Sequence, residues 1–179
     1  MNERTARTGA AVAMAVGVAL ASVGGAALLL DSSAPSSKSS NEAFAPSVLD
    51  RTEGAEPADA PFPALTETDV LVGSTRLRIV VADDATERTR GLRERSNLGD
   101  YEGMLFVFDG PTASGFTMST VPVALDIGFY DAAGRSVDRL RMEPCADSEA
   151  ECPVYRASGP FRFALETLAG DLPRGRLTG

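Results

Sequence analysis

The chain has 179 residues and a formal net charge of −8, which disfavours binding to nucleic acid or to anionic membrane surfaces. It contains no histidine, so histidine-based catalytic triads, histidine–cysteine dyads and histidine metal ligands are excluded. Its 17 basic residues are Lys38 and otherwise arginines. Because this lysine falls in a predicted linker, Schiff-base and serine–lysine chemistry are unfavourable in the folded domain.

The first predicted element is a charge-free apolar run over residues 9–30. A helix of this length would span about 33 Å at about 1.5 Å per residue, which is enough to cross a bilayer. Arg4 and Arg7 precede the run, and their charge predicts that residues 1–8 stay in the cytoplasm. We therefore expect a single-pass protein of the cell membrane, anchored through this run, with the rest of the chain outside the cytoplasm.

The same run also carries a feature of cleaved signal peptides. Ala19-Leu20-Ala21 is a small-residue cleavage candidate. The apolar residues continue to Leu30, however, and so exceed the usual apolar core of a signal peptide. A retained anchor is the favoured prediction, and a secreted protein is the alternative if the segment is cleaved.

The next predicted segment, residues 31–65, is rich in serine, proline, alanine and acids. Its few apolar side chains cannot offset the entropy cost of ordering, so we predict a disordered linker before a folded domain over 66–179. The domain begins with a half-buried strand over 75–81, where apolar residues alternate with arginines. A helix follows, with a capping box at Asp84, and runs to about Arg95.

Further strands follow in chain order. A continuous apolar run over 103–108 predicts a buried strand, and residues 114–121 are weakly strand-like. Residues 124–142 predict a hairpin, and residues 160–167 alternate again. These strands and the single clear helix predict a mainly β domain. We expect a compact barrel- or sandwich-like sheet with one packed helix, preceded by the N-terminal transmembrane helix.

Cys145 and Cys152 are the two cysteines of the chain, and three of the six residues between them are acidic. A metal site is disfavoured because structural zinc sites take four ligands, usually cysteine and histidine. A redox role is disfavoured because reactive pairs typically have the C-x-x-C spacing. Outside the cytoplasm thiols are oxidised, so we predict a structural disulfide. No metal or other cofactor is predicted.

Asp126 is a candidate site residue because it is a charged residue inside the most apolar predicted hairpin. By alternation it faces solvent; if it is buried, it needs a partner. On the predicted helix, Arg88, Leu92 and Arg95 are spaced so that they share one face. We predict a cluster of Arg88, Arg95 and Asp126, which is either a structural ion pair or a binding site for an anion or carboxylate ligand.

Several blocks, taken in order, are similar to those of a known family. They are ERTRGLRER (87–95), GMLFVF (103–108), FTM (116–118), LDIGFYD (125–131), Pro144-Cys145, CPVY (152–155), and Leu165-Glu166 with Ala169-Gly170. Together these blocks resemble domain of unknown function family 192, over about residues 68–170. The resemblance implies a compact, mainly β domain, often secreted or membrane-tethered, and brings no accepted biochemical activity.

The resemblance transfers only some positions of the family pattern. Its arginine and Gly-Leu block matches Arg88, Gly91, Leu92 and Arg95, and its Leu-Asp-Ile aspartate matches Asp126. The chain departs where the family has Phe-Trp-Met-Lys-Asn-Thr, since residues 116–121 are FTMSTV, and Arg93 replaces a usual methionine. A site built from the family's Trp, Lys and Asn would be largely lost here, so the predicted site rests on Arg88, Arg95 and Asp126.

The sequence predicts a binding protein rather than an enzyme. Without histidine and with one linker lysine, a non-catalytic module that binds an unknown small ligand or a protein is the favoured function. The alternative is a hydrolase or lyase that uses carboxylates and arginine. Asp126, Asp131 and Glu166 are candidate acids, although no spacing singles them out. A thiol-redox protein is a further alternative, which requires an accessible and easily reduced cysteine pair.

Overall fold

The computed structural model describes residues 47–179. The predicted cytoplasmic region 1–8 and the predicted transmembrane segment 9–30 lie outside the described residues, as do residues 31–46 of the predicted linker. Among the helices of the described part, none has the length and apolar character needed to cross a membrane.

Two helices of six residues each and ten strands make up the regular structure of residues 47–179. The helices are α1 (Val48–Glu53) and α2 (Ala85–Arg90). The strands are β1 (Glu56–Pro57), β2 (Thr66–Val72), β3 (Thr75–Ala82), β4 (Gly103–Thr112), β5 (Phe116–Thr117), β6 (Leu125–Tyr130), β7 (Ser136–Met142), β8 (Val154–Tyr155), β9 (Phe161–Leu168) and β10 (Leu177–Thr178).

Eight strands form one mixed sheet in the order β1-β2-β3-β4-β9-β6-β7, with β10 also paired to β2. The β3–β4 pair is parallel and the other pairs of this sheet are antiparallel. β5 and β8 form a separate two-stranded sheet. The mainly β prediction is confirmed. The barrel form of that prediction is wrong, because β7 is an edge of the described sheet and does not pair with the opposite side.

Apolar side chains cover both faces of the central strands. In β4, Met104 and Phe106 pack into one core while Leu105 packs into the other, as the two-residue period of a strand requires. In β3, Val80 and Ala82 are also fully buried, so the half-buried strand predicted over 75–81 is buried on both faces in its second half. The sheet is therefore a middle layer, and a polar group on a central strand is enclosed by protein.

Part of the predicted linker is ordered, which corrects its 31–65 boundary. Ser47 caps α1: its hydroxyl accepts a hydrogen bond from Asp50 N at 3.2 Å, and the Asp50 carboxylate accepts one from Ser47 N at 2.8 Å. Phe62 is buried, and its ring meets that of Tyr101 edge-on at 5.9 Å between centroids. The composition of this segment predicted too little order, because its few apolar side chains pack against the domain rather than against one another.

Candidate ligand-binding site

A cavity of about 420 Å³ lies between α2, strand β4 and the segment around β5. Three phenylalanine rings line it: Phe106 and Phe108 from β4 and Phe116 from β5. Phe106 and Phe116 meet edge-on at 5.2 Å between centroids, which fixes the wall between these two elements. A volume of this size falls within the range of small-molecule sites.

Glu166 supplies a buried carboxyl group to this cavity. It lies in β9 opposite Met104 of β4 and Ile127 of β6, so its side chain shares their face of the sheet. The residue is 5% exposed, and no hydrogen bond or ion pair from residues 47–179 reaches its carboxylate, whose oxygens open to the cavity since no fully enclosed side-chain oxygen of these residues lacks a partner. Burial raises the pKa of this carboxyl group to about 8. A buried group with a raised pKa in a cavity is a common mark of a functional site.

One side of the cavity is formed by α2, which begins as predicted. Glu87 N donates to Asp84 Oδ1 at 2.8 Å, and the Glu87 carboxylate accepts from Asp84 N at 3.3 Å. This reciprocal pair is the predicted capping box, and it fixes the direction in which the helix leaves β3.

The end of α2 differs from the prediction. The helix ends at Arg90 rather than near Arg95, because Gly91 takes a φ of +47°. A β carbon on Gly91 would lie 3.4 Å from the Phe106 ring, so the missing side chain also lets the chain approach the cavity wall. The helix face predicted to be shared by Arg88 and Arg95 therefore does not exist.

Arg88 lines the cavity, and one nitrogen of its guanidinium group is bonded to the backbone. Its Nη1 donates to Val107 O at 2.8 Å and also to Asp83 O. The guanidinium carbon lies 5.0 Å from the centre of the Phe108 ring. Arg88 thus ties α2 to β4 and supports the cavity wall.

Arg95 lies at a different place. Its guanidinium carbon is 5.1 Å above the centre of the Phe62 ring, beside a second cavity of about 440 Å³ formed with residues 61–65. The packing resembles a cation–π contact and has no bearing on the Glu166 cavity.

Asp126 is paired within the sheet. Its Oδ2 accepts from Gly170 N at 2.8 Å, and its carboxylate bonds to Arg141, its register partner on β7. The hydrogen bond from Arg141 is the main cause that lowers the pKa of Asp126. The predicted cluster with Arg88 and Arg95 is therefore not formed. Asp126 does form a structural ion pair, as one of the two interpretations predicted, but its partner is Arg141.

The Cys145–Cys152 disulfide is present, with 2.02 Å between its sulfurs. Its loop reaches the cavity through Glu149, whose carboxylate accepts from Arg93 Nη2 at 2.9 Å. Arg93 Nη1 donates to Ser119 O, also at 2.9 Å. The arginine that departs from the family pattern therefore holds the disulfide loop against the cavity. Within residues 47–179, no group of three or more Cys, Asp or Glu is placed to hold a metal ion.

Glu166 is the residue that the predicted site lacked. The alternation over 160–167 runs through Phe161, Phe163 and Leu165 and gives no sign that the opposite face, which carries Glu166, is also buried. Both faces are buried because β9 lies between β4 and β6. One residue could have indicated that the Glu166 face is buried: Ala164 shares that face, its side chain is small and apolar, and it is fully buried in the structure.

The fold and the site together define a class of protein: a mainly β domain with a ligand-sized cavity, lined by a buried carboxyl side chain that has no hydrogen-bond partner among residues 47–179. The chain belongs to the DUF192 family, described as uncharacterized ACR, COG1430, whose model matches residues 68–177. The resemblance found in the sequence is thus confirmed, and the family has no established activity.

The solved structures that are similar to the chain include two that can be compared in detail. A protein of unknown function from Novosphingobium aromaticivorans DSM 12444 is 27% identical, with a TM-score of 0.56 over 72% of this chain and 96% of its own. A protein from Sinorhizobium meliloti 1021, described as "a putative transcription regulator", is 24% identical, with a TM-score of 0.52 over 62% of this chain and 90% of its own. No curated protein matches the chain.

Proposed function

We propose that this protein is a membrane-tethered, extracytoplasmic module that binds a small organic ligand in the cavity beside α2 and does not transform it. The observation that carries the proposal is Glu166, a buried carboxyl group without a hydrogen-bond partner among the described residues, at a cavity of about 420 Å³. No fully enclosed side-chain oxygen of the described residues lacks a partner, so the Glu166 oxygens open to the cavity, where a molecule from outside the chain can bond to them.

The cavity has the composition of a small-molecule site. Phenylalanine rings from β4 and β5 provide apolar contact area, and one carboxyl group provides orientation. The arginines Arg88 and Arg93 are already bonded to backbone oxygens, which weakens the predicted anion site. The proposal therefore centres on Glu166 rather than on Arg88, Arg95 and Asp126.

Transcription regulation is not carried over from the Sinorhizobium meliloti protein. An identity of 24% supports the fold alone. The net charge of −8 also opposes contact with a phosphate backbone. A small ligand fits both the charge and the enclosed carboxyl group better than a nucleic acid does.

Acid–base catalysis is a second candidate, favoured by the same residue. A carboxyl group with a pKa near 8 is protonated at neutral pH and can donate a proton to a bound molecule. A hydrolase with two carboxylates would use a second free acid, and the other acid at the cavity, Glu149, is paired with Arg93. Binding without reaction therefore has the stronger support.

The test compares two substitutions on the exposed surface of α2. Thr89 lines the Glu166 cavity and Thr86 lines the second cavity, so Thr89→Phe should fill the first site while Thr86→Phe serves as the matched control. A thermal-shift screen of small organic molecules on the full-length protein should find compounds that stabilise the wild type and Thr86→Phe but not Thr89→Phe. A screen in which no stabilising compound depends on Thr89 would contradict the proposal. If mass spectrometry shows that a bound compound is chemically changed, the second candidate function, acid–base catalysis, is favoured.

A further inference from the structure

The chemistry around Glu166 restricts which ligand the cavity can accept. Its register partners Met104 and Ile127 are fully buried apolar side chains, and neither can donate a hydrogen bond. Among the described residues no hydrogen bond reaches the carboxyl oxygens, and no fully enclosed side-chain oxygen lacks a partner, so these oxygens are open to the cavity and to whatever enters it. A ligand that brings only apolar atoms or an anion would leave this group buried and unpaired, at a cost in binding free energy.

Besides Glu166 on β9, the charged groups of the cavity come from α2, from the segment after it and from the disulfide loop. Arg88 and Arg90 belong to α2, Arg93 follows that helix, and Glu149 lies in the disulfide loop. β4 and β5 line the cavity with apolar or uncharged side chains.

Two of these charged groups neutralise each other at the cavity edge, since Arg93 Nη2 lies 2.9 Å from Glu149 Oε2. Arg88 Nη1 is bonded to backbone oxygens, and the guanidinium group stacks on the Phe108 ring. Arg90 is exposed, so it can meet only the outer end of a ligand. The buried part of the cavity thus presents one acid surrounded by aromatic rings.

We propose that the ligand is an organic amine with an apolar body of about one or two rings, bound with its ammonium group against Glu166. This inference rests on the proposed binding function. The ammonium group donates to the carboxylate and compensates its buried charge, and the rings of Phe106 and Phe116 attract a cation as well as an apolar ring. The apolar body occupies the remaining volume and covers the ion pair from water.

Binding of an amine is then linked to loss of a proton. The free protein holds Glu166 protonated at neutral pH, whereas the ion pair needs the carboxylate, so the proton leaves to solvent as the ammonium group arrives. Affinity for an amine should therefore rise with pH from about pH 6 to about pH 8, by up to about tenfold per unit, and level off above that.

Tryptamine, tryptophol and indole-3-acetate are suitable probes, since they share an indole ring and differ in a cationic, neutral or anionic tail. The chain contains no tryptophan, so the indole fluorescence of each probe reports binding to the full-length protein without background. We expect tryptamine to bind most tightly and Glu166→Gln to weaken it by about tenfold or more, because the charge-assisted hydrogen bond is lost. Binding of tryptophol should change less than about threefold, and Thr86→Phe should change neither.

The outcomes separate this inference from the proposed function. If tryptophol or indole-3-acetate binds as tightly as tryptamine and Thr89→Phe blocks it, the binding function stands and the amine assignment is wrong. If tryptamine affinity neither rises with pH nor responds to Glu166→Gln, the assignment is also wrong. If none of the three probes and no smaller amine such as phenethylamine binds, the amine assignment fails, and the separate screen decides the binding function.

Discussion

Thr120 holds its backbone in the left-handed region, with φ of 62°, although its side chain is β-branched and exposed. The conformation is fixed by two backbone bonds, from Thr120 N to Cys145 O and from Glu94 N to Thr120 O, each 2.9 Å long. Asparagine, which the family pattern has here, adopts this region more readily. We expect Thr120→Asn to raise the free energy of unfolding by about 1 kcal/mol, measured by denaturant titration.

The control for this prediction is Thr120→Ala. Alanine removes the β branch but gains no tolerance for a positive φ, so its effect should be smaller than that of asparagine. Equal stability of the two variants would contradict backbone strain at Thr120 as the cause.

Glu166 should make the folded state less stable as pH rises. Its folded pKa of about 8 lies above the usual value of 4.5, so between these pH values the folded state holds a proton that the unfolded state has lost. Stability is therefore full below about pH 4.5 and decreases toward about pH 8, by roughly 3–5 kcal/mol. Glu166→Gln should remove this decrease and make the variant more stable than the wild type at pH 8, as denaturant titrations across this range would show.

Asp126→Asn is the matched control because Asp126 has a shift in the opposite direction. The hydrogen bond from Arg141 lowers the pKa of Asp126, so its contribution is present above the usual pKa and is lost as pH falls. This variant should change the acidic side of the stability profile and leave the alkaline decrease intact. An alkaline decrease that persists in Glu166→Gln would show that another group causes it.

At the scale of elements, the disulfide loop joins β7 to β8 and lies against the cavity. The bond closes a short loop between Cys145 and Cys152, and the chain-entropy model gives a contribution of about 2–3 kcal/mol for loops of this size. We expect Cys145→Ser/Cys152→Ser to lower the free energy of unfolding by that amount. Thermal melting of the wild type with and without reductant should show the same loss.

The same measurement separates a structural disulfide from a redox centre. A structural pair should have no free thiols as purified and a reduction potential below about −300 mV. A potential near about −200 mV with little change in melting temperature would contradict the structural role and favour the thiol-redox alternative. Because Glu149 belongs to this loop and pairs with Arg93, the double variant should also weaken tryptamine binding.

Elements defined by neighbouring residues were predictable. The capping box at Asp84, the hairpin over 124–142 and the cysteine pair all depend on short-range spacing, and all three are present. The predicted helix was too long because the apolar and arginine spacing continues past Gly91, whereas that glycine takes a positive φ and lies against the Phe106 ring of another element. The periodicity of a segment cannot predict where a helix ends when the end depends on contact with another element.

At the scale of the whole molecule, strand order could not be read from the sequence. Glu166 is enclosed because β9 inserts between β4 and β6, strands that are distant from it along the chain. The cavity likewise combines α2, β4, β5 and the disulfide loop. These elements come from separate segments of the chain, and no local sequence pattern predicts that they lie next to one another. The prediction of a cluster of Arg88, Arg95 and Asp126 was wrong for this reason. Arg88 contacts β4 and Arg95 packs on Phe62, and neither contact could be predicted from local spacing.

Orientation in the membrane is the prediction that concerns the whole chain. Arg4 and Arg7 precede the apolar run over 9–30, so we expect the domain to lie outside the cytoplasm, where the Cys145–Cys152 bond is also stable. An alkaline phosphatase fused after Gly179 should therefore be active in cells, because that enzyme needs an oxidising compartment.

Substitution of both arginines by glutamate should lower the fusion's activity, since the bias that directs the N-terminus inward is removed. A matched fusion to a protein that fluoresces only in the cytoplasm should show the reverse response. Both fusions should remain in the membrane fraction if residues 9–30 are a retained anchor, and a shortened, soluble product would indicate cleavage. Activity only from the cytoplasmic reporter would contradict the orientation. It would also remove the reason for expecting an oxidised cysteine pair, because thiols in the cytoplasm are kept reduced.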